Sequence, residues 1–137
     1  MVIGVDTGFF IELKNDNPRV MGIWDNVVDG KKELMVSVLS INEILVHFFK
    51  KGKPEMGDEV LTLLKIFPNI IIVPVSERIA ELSAGYRYGL GIPTIDSLIL
   101  TTFIFERCEK VISTDSHFLK AKEQNLIDVE FIESGKK

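Results

Sequence analysis

Short apolar runs alternate with segments of helical periodicity along the 137-residue chain. Val2 to Val5, Leu34 to Val38, Ile70 to Val73, Lys110 to Ser113 and Val129 to Ile132 read as strands, each bounded by turn or cap residues. Between them, Thr7 or Asp6 caps a brief helix carrying Phe9, Phe10 and Leu13. Asn17-Pro18 opens a second helix with Val20, Ile23, Trp24 and Val27 on one face. Ser40 caps a third, running to about Lys51 before Gly52, and Pro54 starts a fourth that ends before Pro68. Ser76 caps a fifth to about Tyr88, after which Gly89 and Gly91 turn the chain. Thr94 opens a sixth through about Glu106, and Asp115 or Ser116 starts a last short one.

Five short buried strands separated by helices predict an α/β fold: three α/β/α layers around a mainly parallel five-stranded sheet covered on both faces. Right-handed crossovers then gather the C-terminal ends of the strands, and the helix N-termini that follow them, along one edge where such folds place ligands.

Size and composition narrow this further. At 15.5 kDa, without linker or internal repeat, one domain over 1–133 is expected, followed by a short polar tail at 134–137. Hydrophobic residues at 46% and charged residues at 26% exclude a disordered chain. The single cysteine, Cys108, cannot make an internal disulfide, and zinc-ligand spacing is absent, so a reducing cytoplasmic location is expected. The apolar runs are far shorter than the roughly 18 residues of a membrane span, and no basic stretch precedes the first one, so neither a membrane segment nor a signal peptide is expected. A mean hydropathy of +0.21 is high for a small monomer and predicts an apolar contact surface.

Sixteen basic against twenty acidic residues give a net charge of −4, which at first disfavours a polyanionic partner. Gathering four acids around a divalent cation would leave the rest of the surface neutral and invert the local field. Asp6, Glu43, Asp96 and Asp115 are the candidates. Taken singly each has an ordinary structural role: Asp6 and Asp115 as helix caps, Glu43 as partner of Ser40 in a capping box, and Asp96 as a first-turn acid favoured by the helix dipole. The predicted topology brings all four to one edge, where crowded anions repel and a cation relieves them. Oxygen donors suit a hard ion, Mg²⁺ or Mn²⁺, and such ions accompany phosphoryl chemistry.

With these motifs in hand, Val-Asp6-Thr, Ser-x-Asn-Glu43, Pro-Thr-Ile-Asp96-Ser-Leu-Ile and Ile-Ser-Thr-Asp115-Ser-His-Phe, the chain resembles PIN-domain ribonucleases of the VapC toxin type over nearly its whole length. The resemblance implies a five-stranded parallel sheet and Mg²⁺- or Mn²⁺-dependent endoribonuclease activity. It also implies an antitoxin protein that occludes the site, and a homodimer. Asp6, Asp96 and Asp115 would hold the ion, Glu43 would complete the shell or orient the attacking water, and Thr7 and Ser113 would orient the acids or a metal-bound water. Three positions depart from the usual pattern: Gly8 where a small polar residue is frequent, Phe103 where a small residue is common, and His117 where a further Asp or Asn often follows.

The alternative is a catalytically silent domain of the same fold that binds nucleic acid or protein. A doubly wound phosphatase is disfavoured because Asp6-Thr7-Gly8 lacks the second acid of Asp-x-Asp. His117, next to Asp115, is a candidate ligand or proton donor, whereas His47, between Val46 and Phe48, reads as a core or interface residue. Arg87 with Tyr86 and Tyr88, Lys14, Arg19 and the Lys50-Lys51-Gly52-Lys53 cluster are weighed as RNA contacts against simple solvated helix ends. Cys108 reads as structural. Trp24, Ile23, Val27, Val28, Leu61, Leu64 and Phe67 read first as core, with any surplus forming a groove for a partner helix or second subunit.

Overall fold

The computed structural model describes residues 1–134; the expected polar tail lies, beyond Ser134, outside the described residues. In chain order the strands are β1 (Val2–Val5), β2 (Glu33–Ser37), β3 (Ile70–Val73), β4 (Lys110–Ser113) and β5 (Asp128–Phe131). The helices are α1 (Thr7–Lys14), α2 (Pro18–Val28), α3 (Val38–Lys50), α4 (Pro54–Ile66), α5 (Glu77–Leu90), α6 (Thr94–Phe105) and α7 (Leu119–Glu123), with a 3₁₀ turn at Ser116–Phe118 before the last. The strands form one parallel sheet in the order β3-β2-β1-β4-β5, so the α/β expectation holds.

Period-two alternation divides the buried side chains between the two faces of the sheet. Ile3 and Val5 of β1, Leu34 and Val36 of β2, and Ile112 of β4 pack with Phe9, Phe10, Val20, Ile44 and Val60 from α1 to α4. Met35, Val111 and Val129 face the other way, against Ile99 and Phe103 of α6 and Phe118 of the 3₁₀ turn. Cys108 is buried in this second layer with its Sγ 3.7 Å from Met35 Sδ, in keeping with a structural role.

Several element ends differ from the sequence reading. Ser37, not Ser40, caps α3, its Oγ accepting from the Leu39 N–H at 3.1 Å. The apolar Val38 therefore begins the helix instead of ending the strand, because sheet pairing stops at Ser37 opposite Val73. Two serines three residues apart offer equivalent caps in sequence, and the end of the strand pairing selects the first. Gly89 lies within α5, which runs to Leu90; Gly91 alone makes the turn, with φ 65°. The last strand begins at Asp128, one residue early; Ile132 has left it, although its N–H still donates to the Ser113 carbonyl at 2.8 Å. Glu12, unremarked in the sequence, is buried, with Asn17 Nδ2 donating to its Oε1 at 3.0 Å while Asn17 Oδ1 caps α2.

Among the described residues no single helix is long and apolar enough to cross a membrane. The α5–α6 pair reaches that length only across a 116° bend, and much of α6 is buried in the core. Large exposed apolar side chains include Tyr88, Phe49 and Ile66, on α5, α3 and α4.

Phe103 occupies space that exists because residue 4 is glycine. A Cβ on Gly4 would lie 2.5 Å from the Phe103 ring, far inside contact distance. The bulky residue on α6 and the missing side chain on the central strand are thus two halves of one packing solution, which sets the height of α6 over the sheet and so the position of Asp96. Gly4→Ala is expected to cost about 1–3 kcal/mol by overpacking and Phe103→Ala about 3–5 kcal/mol. In the Phe103→Ala background, Gly4→Ala should cost almost nothing. Urea unfolding of the four proteins checks this, and additive losses would show that the two positions are uncoupled.

Candidate active site

The strand order reverses direction at β1: the chain first builds outward through β2 and β3, then returns to place β4 on the other side of β1. Such a switch point opens a crevice beyond the strand C-termini. Asp6 follows β1, and Ser113, Thr114 and Asp115 end or follow β4, with Val5 in register with Ile112. Glu43 reaches the same crevice from α3, and Asp96 from the first turn of α6. All four acids line one cavity of about 510 Å³.

Asp6 is held on both oxygens. Its Oδ1 accepts from the Phe9 N–H at 3.1 Å, which caps α1; its Oδ2 accepts from Ser113 Oγ at 2.6 Å and from the Thr114 N–H at 3.2 Å. Gly8 permits this closeness, since a Cβ there would sit 1.8 Å from Thr114 Oγ1. Ser113 Oγ in turn accepts from the Asp115 N–H at 2.9 Å, so one buried hydroxyl ties the first acid to the backbone of the last. Glu43 is not in a capping box: Ser40 lies inside α3, and Thr7 Oγ1 donates to Glu43 Oε1 at 2.5 Å while standing 3.0 Å from Ser40 Oγ. Both hydroxyl residues singled out from the sequence, Thr7 and Ser113, touch an acid.

The expected triple of Asp6, Asp96 and Asp115 is not the tightest group. Among the described residues, the ligand atoms that all fall within 4.8 Å of one another belong to Asp96, Asp115 and His117. His117 Nδ1 is 3.2 Å from Asp96 Oδ2 and 3.0 Å from Asp115 Oδ1, and its backbone N–H donates to that same Asp115 oxygen at 2.9 Å. Asp115 therefore caps the 3₁₀ turn and faces the cavity at once.

Burial dominates the electrostatics. It lifts the Asp6 carboxyl from 3.8 to about 6 against the pull of its three hydrogen bonds, with the Asp115 charge adding a smaller push. Asp96 is also raised to about 6, first by burial and then by the charge and carboxyl of Asp115, partly offset by His117. Two acids that resist ionisation beside a third form a site that a divalent cation stabilises, and the donor set of carboxylate oxygens and one imidazole fits such an ion.

Two basic side chains on the cavity wall were not assigned there from sequence. His47, read as core or interface, is half-buried and lines the cavity with Lys50. Burial, with Lys51 and Lys50 close by, holds its imidazole below the usual value. The signal was the spacing Glu43, His47, Lys50, which is i, i+4, i+7 on one helix face. Arg87 and Tyr88 instead line a separate hollow with Gly91 and Ile92. Arg19 pairs with Glu130, which also takes Lys110 Nζ at 2.9 Å, and Lys14 pairs with Glu59.

The PIN domain family model matches residues 3–124, and the chain belongs to that family. No curated protein matches it in sequence. Solved structures share its fold at low identity. VapBC2 from Rickettsia felis, bound to a DNA fragment from its promoter, aligns with TM-score 0.74 and 17% identity over 96% of this chain and 98% of that one. Mycobacterium tuberculosis VapC20, described as a sarcin-ricin loop cleaving toxin, aligns with TM-score 0.72 and 13% identity over 87% and 94%. FitAcB from Neisseria gonorrhoeae aligns with TM-score 0.67 and 20% identity over 96% and 97%.

The raised carboxyls make a signed prediction for the metal-free protein. Around pH 5 folded Asp6 and Asp96 keep protons that the unfolded chain has lost, so their contribution makes stability fall as pH rises from about 4 through about 6. For the buried Asp6 the loss is on the order of 3 kcal/mol. Glu130, held below its usual value mainly by Lys110 and Arg19 against its own burial, works oppositely: its contribution is present above about pH 4.5 and fades in stronger acid. Carboxyl-carbon NMR titration in chelator should show the Asp6 and Asp96 midpoints near 6; midpoints below 4 would contradict this electrostatic picture.

Proposed function

We propose that the protein is a divalent-metal-dependent endoribonuclease, the toxin of a toxin–antitoxin pair. The observation that carries this reading is the convergence of Asp6, Glu43, Asp96 and Asp115, from four separate elements, on one cavity at the switch point of a PIN domain. Mg²⁺ or Mn²⁺ is the ion that oxygen-rich donors favour.

Asp96 and Asp115, with Asp6 beside them, would hold the ion. When bound, the ion supplies an acidified water and neutralises charge that grows on the scissile phosphate. Ser113 and the Thr114 amide fix the Asp6 carboxylate, so its orientation survives the approach of substrate. Glu43, with Oε1 engaged by Thr7, lines the same cavity and would orient the attacking water. Lys50 and His47, which line the cavity from α3 beside Glu43, would meet the phosphates flanking the cut.

An antitoxin partner is part of the reading, since a free nuclease of cellular RNA harms its host, and similar folds include VapBC2 and a toxin–antitoxin complex from Klebsiella pneumoniae. Cellular RNA as substrate also implies work in the cytoplasm. A homodimer would cover some of the exposed apolar side chains such as Tyr88 and Phe49.

Incubation with RNA, DNA and a chromogenic phosphomonoester across a Mn²⁺ titration should give internal cleavage of RNA alone. Asp6→Asn should fold as the parent and lose at least about 100-fold in rate, and Ser113→Ala should lose about 10–100-fold through the acid it holds. RNA binding without cleavage at any metal concentration would favour the silent module, and full activity of Asp6→Asn would remove the mechanism.

A further inference from the structure

We infer that His117 is a direct nitrogen ligand of the bound ion, and that it turns the site's preference from Mg²⁺ toward Mn²⁺ and its transition-metal neighbours. The inference rests on the metal-dependent reading above and adds to it a ligand and a selectivity specific to this chain.

Position comes first. His117 is the middle residue of the 3₁₀ turn that Asp115 caps, and the next residue, Phe118, is sunk in the core at 1% exposure. Cap and anchor together fix the backbone on both sides of the imidazole. The ring turns Nδ1 to both acids, at 3.0 Å from Asp115 Oδ1 and 3.2 Å from Asp96 Oδ2. For an octahedral ion with bonds of about 2.1 Å, neighbouring ligands stand about 3.0 Å apart, so these separations match two edges of one coordination octahedron. The Nε2–H tautomer would present the Nδ1 lone pair at that corner.

Chemistry follows from the atom type. Mg²⁺ favours oxygen and keeps its waters, whereas first-row transition ions gain from an imidazole nitrogen and follow the order Mn²⁺ below Co²⁺ below Ni²⁺. A carboxylate at this corner would add a negative charge and an oxygen, both of which suit Mg²⁺. The histidine supplies neither. His47, the only other histidine in the chain, lines the cavity from α3 and is outside the cluster of closely spaced ligand atoms.

The test is electron spin-echo spectroscopy and calorimetry of the full chain loaded with Mn²⁺. Wild type should show nitrogen coupling to the bound ion. The coupling should vanish in His117→Ala and His117→Asp and persist in His47→Ala. The ratio of Mn²⁺ to Mg²⁺ affinity should fall about tenfold in both His117 variants, with His117→Asp keeping tight Mg²⁺ binding. Circular dichroism of each variant reports folding independently. Mn²⁺ uptake without nitrogen coupling, or coupling lost only in His47→Ala, overturns the inference and leaves the nuclease reading standing. Failure of the wild type to take up Mn²⁺ overturns both.

Discussion

The burial of carboxylates at the end of the central strands is the constraint around which this domain is arranged. Asp6, Asp96 and Asp115 meet where the sheet changes direction, and burial makes ionisation of the first two costly. The fold counters that cost locally with backbone dipoles: Asp6 caps α1, Asp115 caps the 3₁₀ turn and Asp96 sits in the first turn of α6. Hydrogen bonds from Phe9, Ser113 and Thr114 add donors around Asp6. These partial charges temper that cost without abolishing it, so both carboxyls stay raised to about 6.

Capping a helix and facing the cavity are therefore not rival roles here. A residue that satisfies an orphan N–H with one carboxylate oxygen keeps the other directed by the same geometry. Asp6 shows this most directly, since Oδ1 accepts from the Phe9 amide while Oδ2 is held by Ser113 Oγ and the Thr114 amide. Helix caps placed on the C-terminal edge of a parallel sheet give pre-positioned acids at no additional conformational cost.

Rigidity beneath the site comes from close packing at two glycines. Gly4 admits the Phe103 ring to the face of β1, and Gly8 lets Thr114 approach Asp6. Both contacts join α1 or α6 to the central strands, so the acids move with the sheet. The destabilisation concentrated at the cavity is borne by two apolar layers in which Phe9, Phe10, Phe103 and Phe118 are almost wholly buried. Such a division, a stable core under a polar edge of costly charges, is expected where function needs charges that folding alone would reject.

Local pattern determined the number, type and order of the elements, because continuous apolar strands, Asn17-Pro18, Pro54 and Ser76 act within a few residues of themselves. It also singled out the acids and the hydroxyls Thr7 and Ser113, since polar residues at strand ends must emerge or find partners. Tertiary structure decided what depends on distant segments. Whether Ser37 or Ser40 caps α3 was settled by where β2 stops pairing with β3. The partner of Glu43 proved to be Thr7, 36 residues away, instead of its own helix. Only the folded chain shows that Gly4 and Phe103 complement each other, and that Asp96, Asp115 and His117 lie closer together than any set of described residues containing Asp6, because side-chain separation across helices is set by packing and not by spacing along the chain.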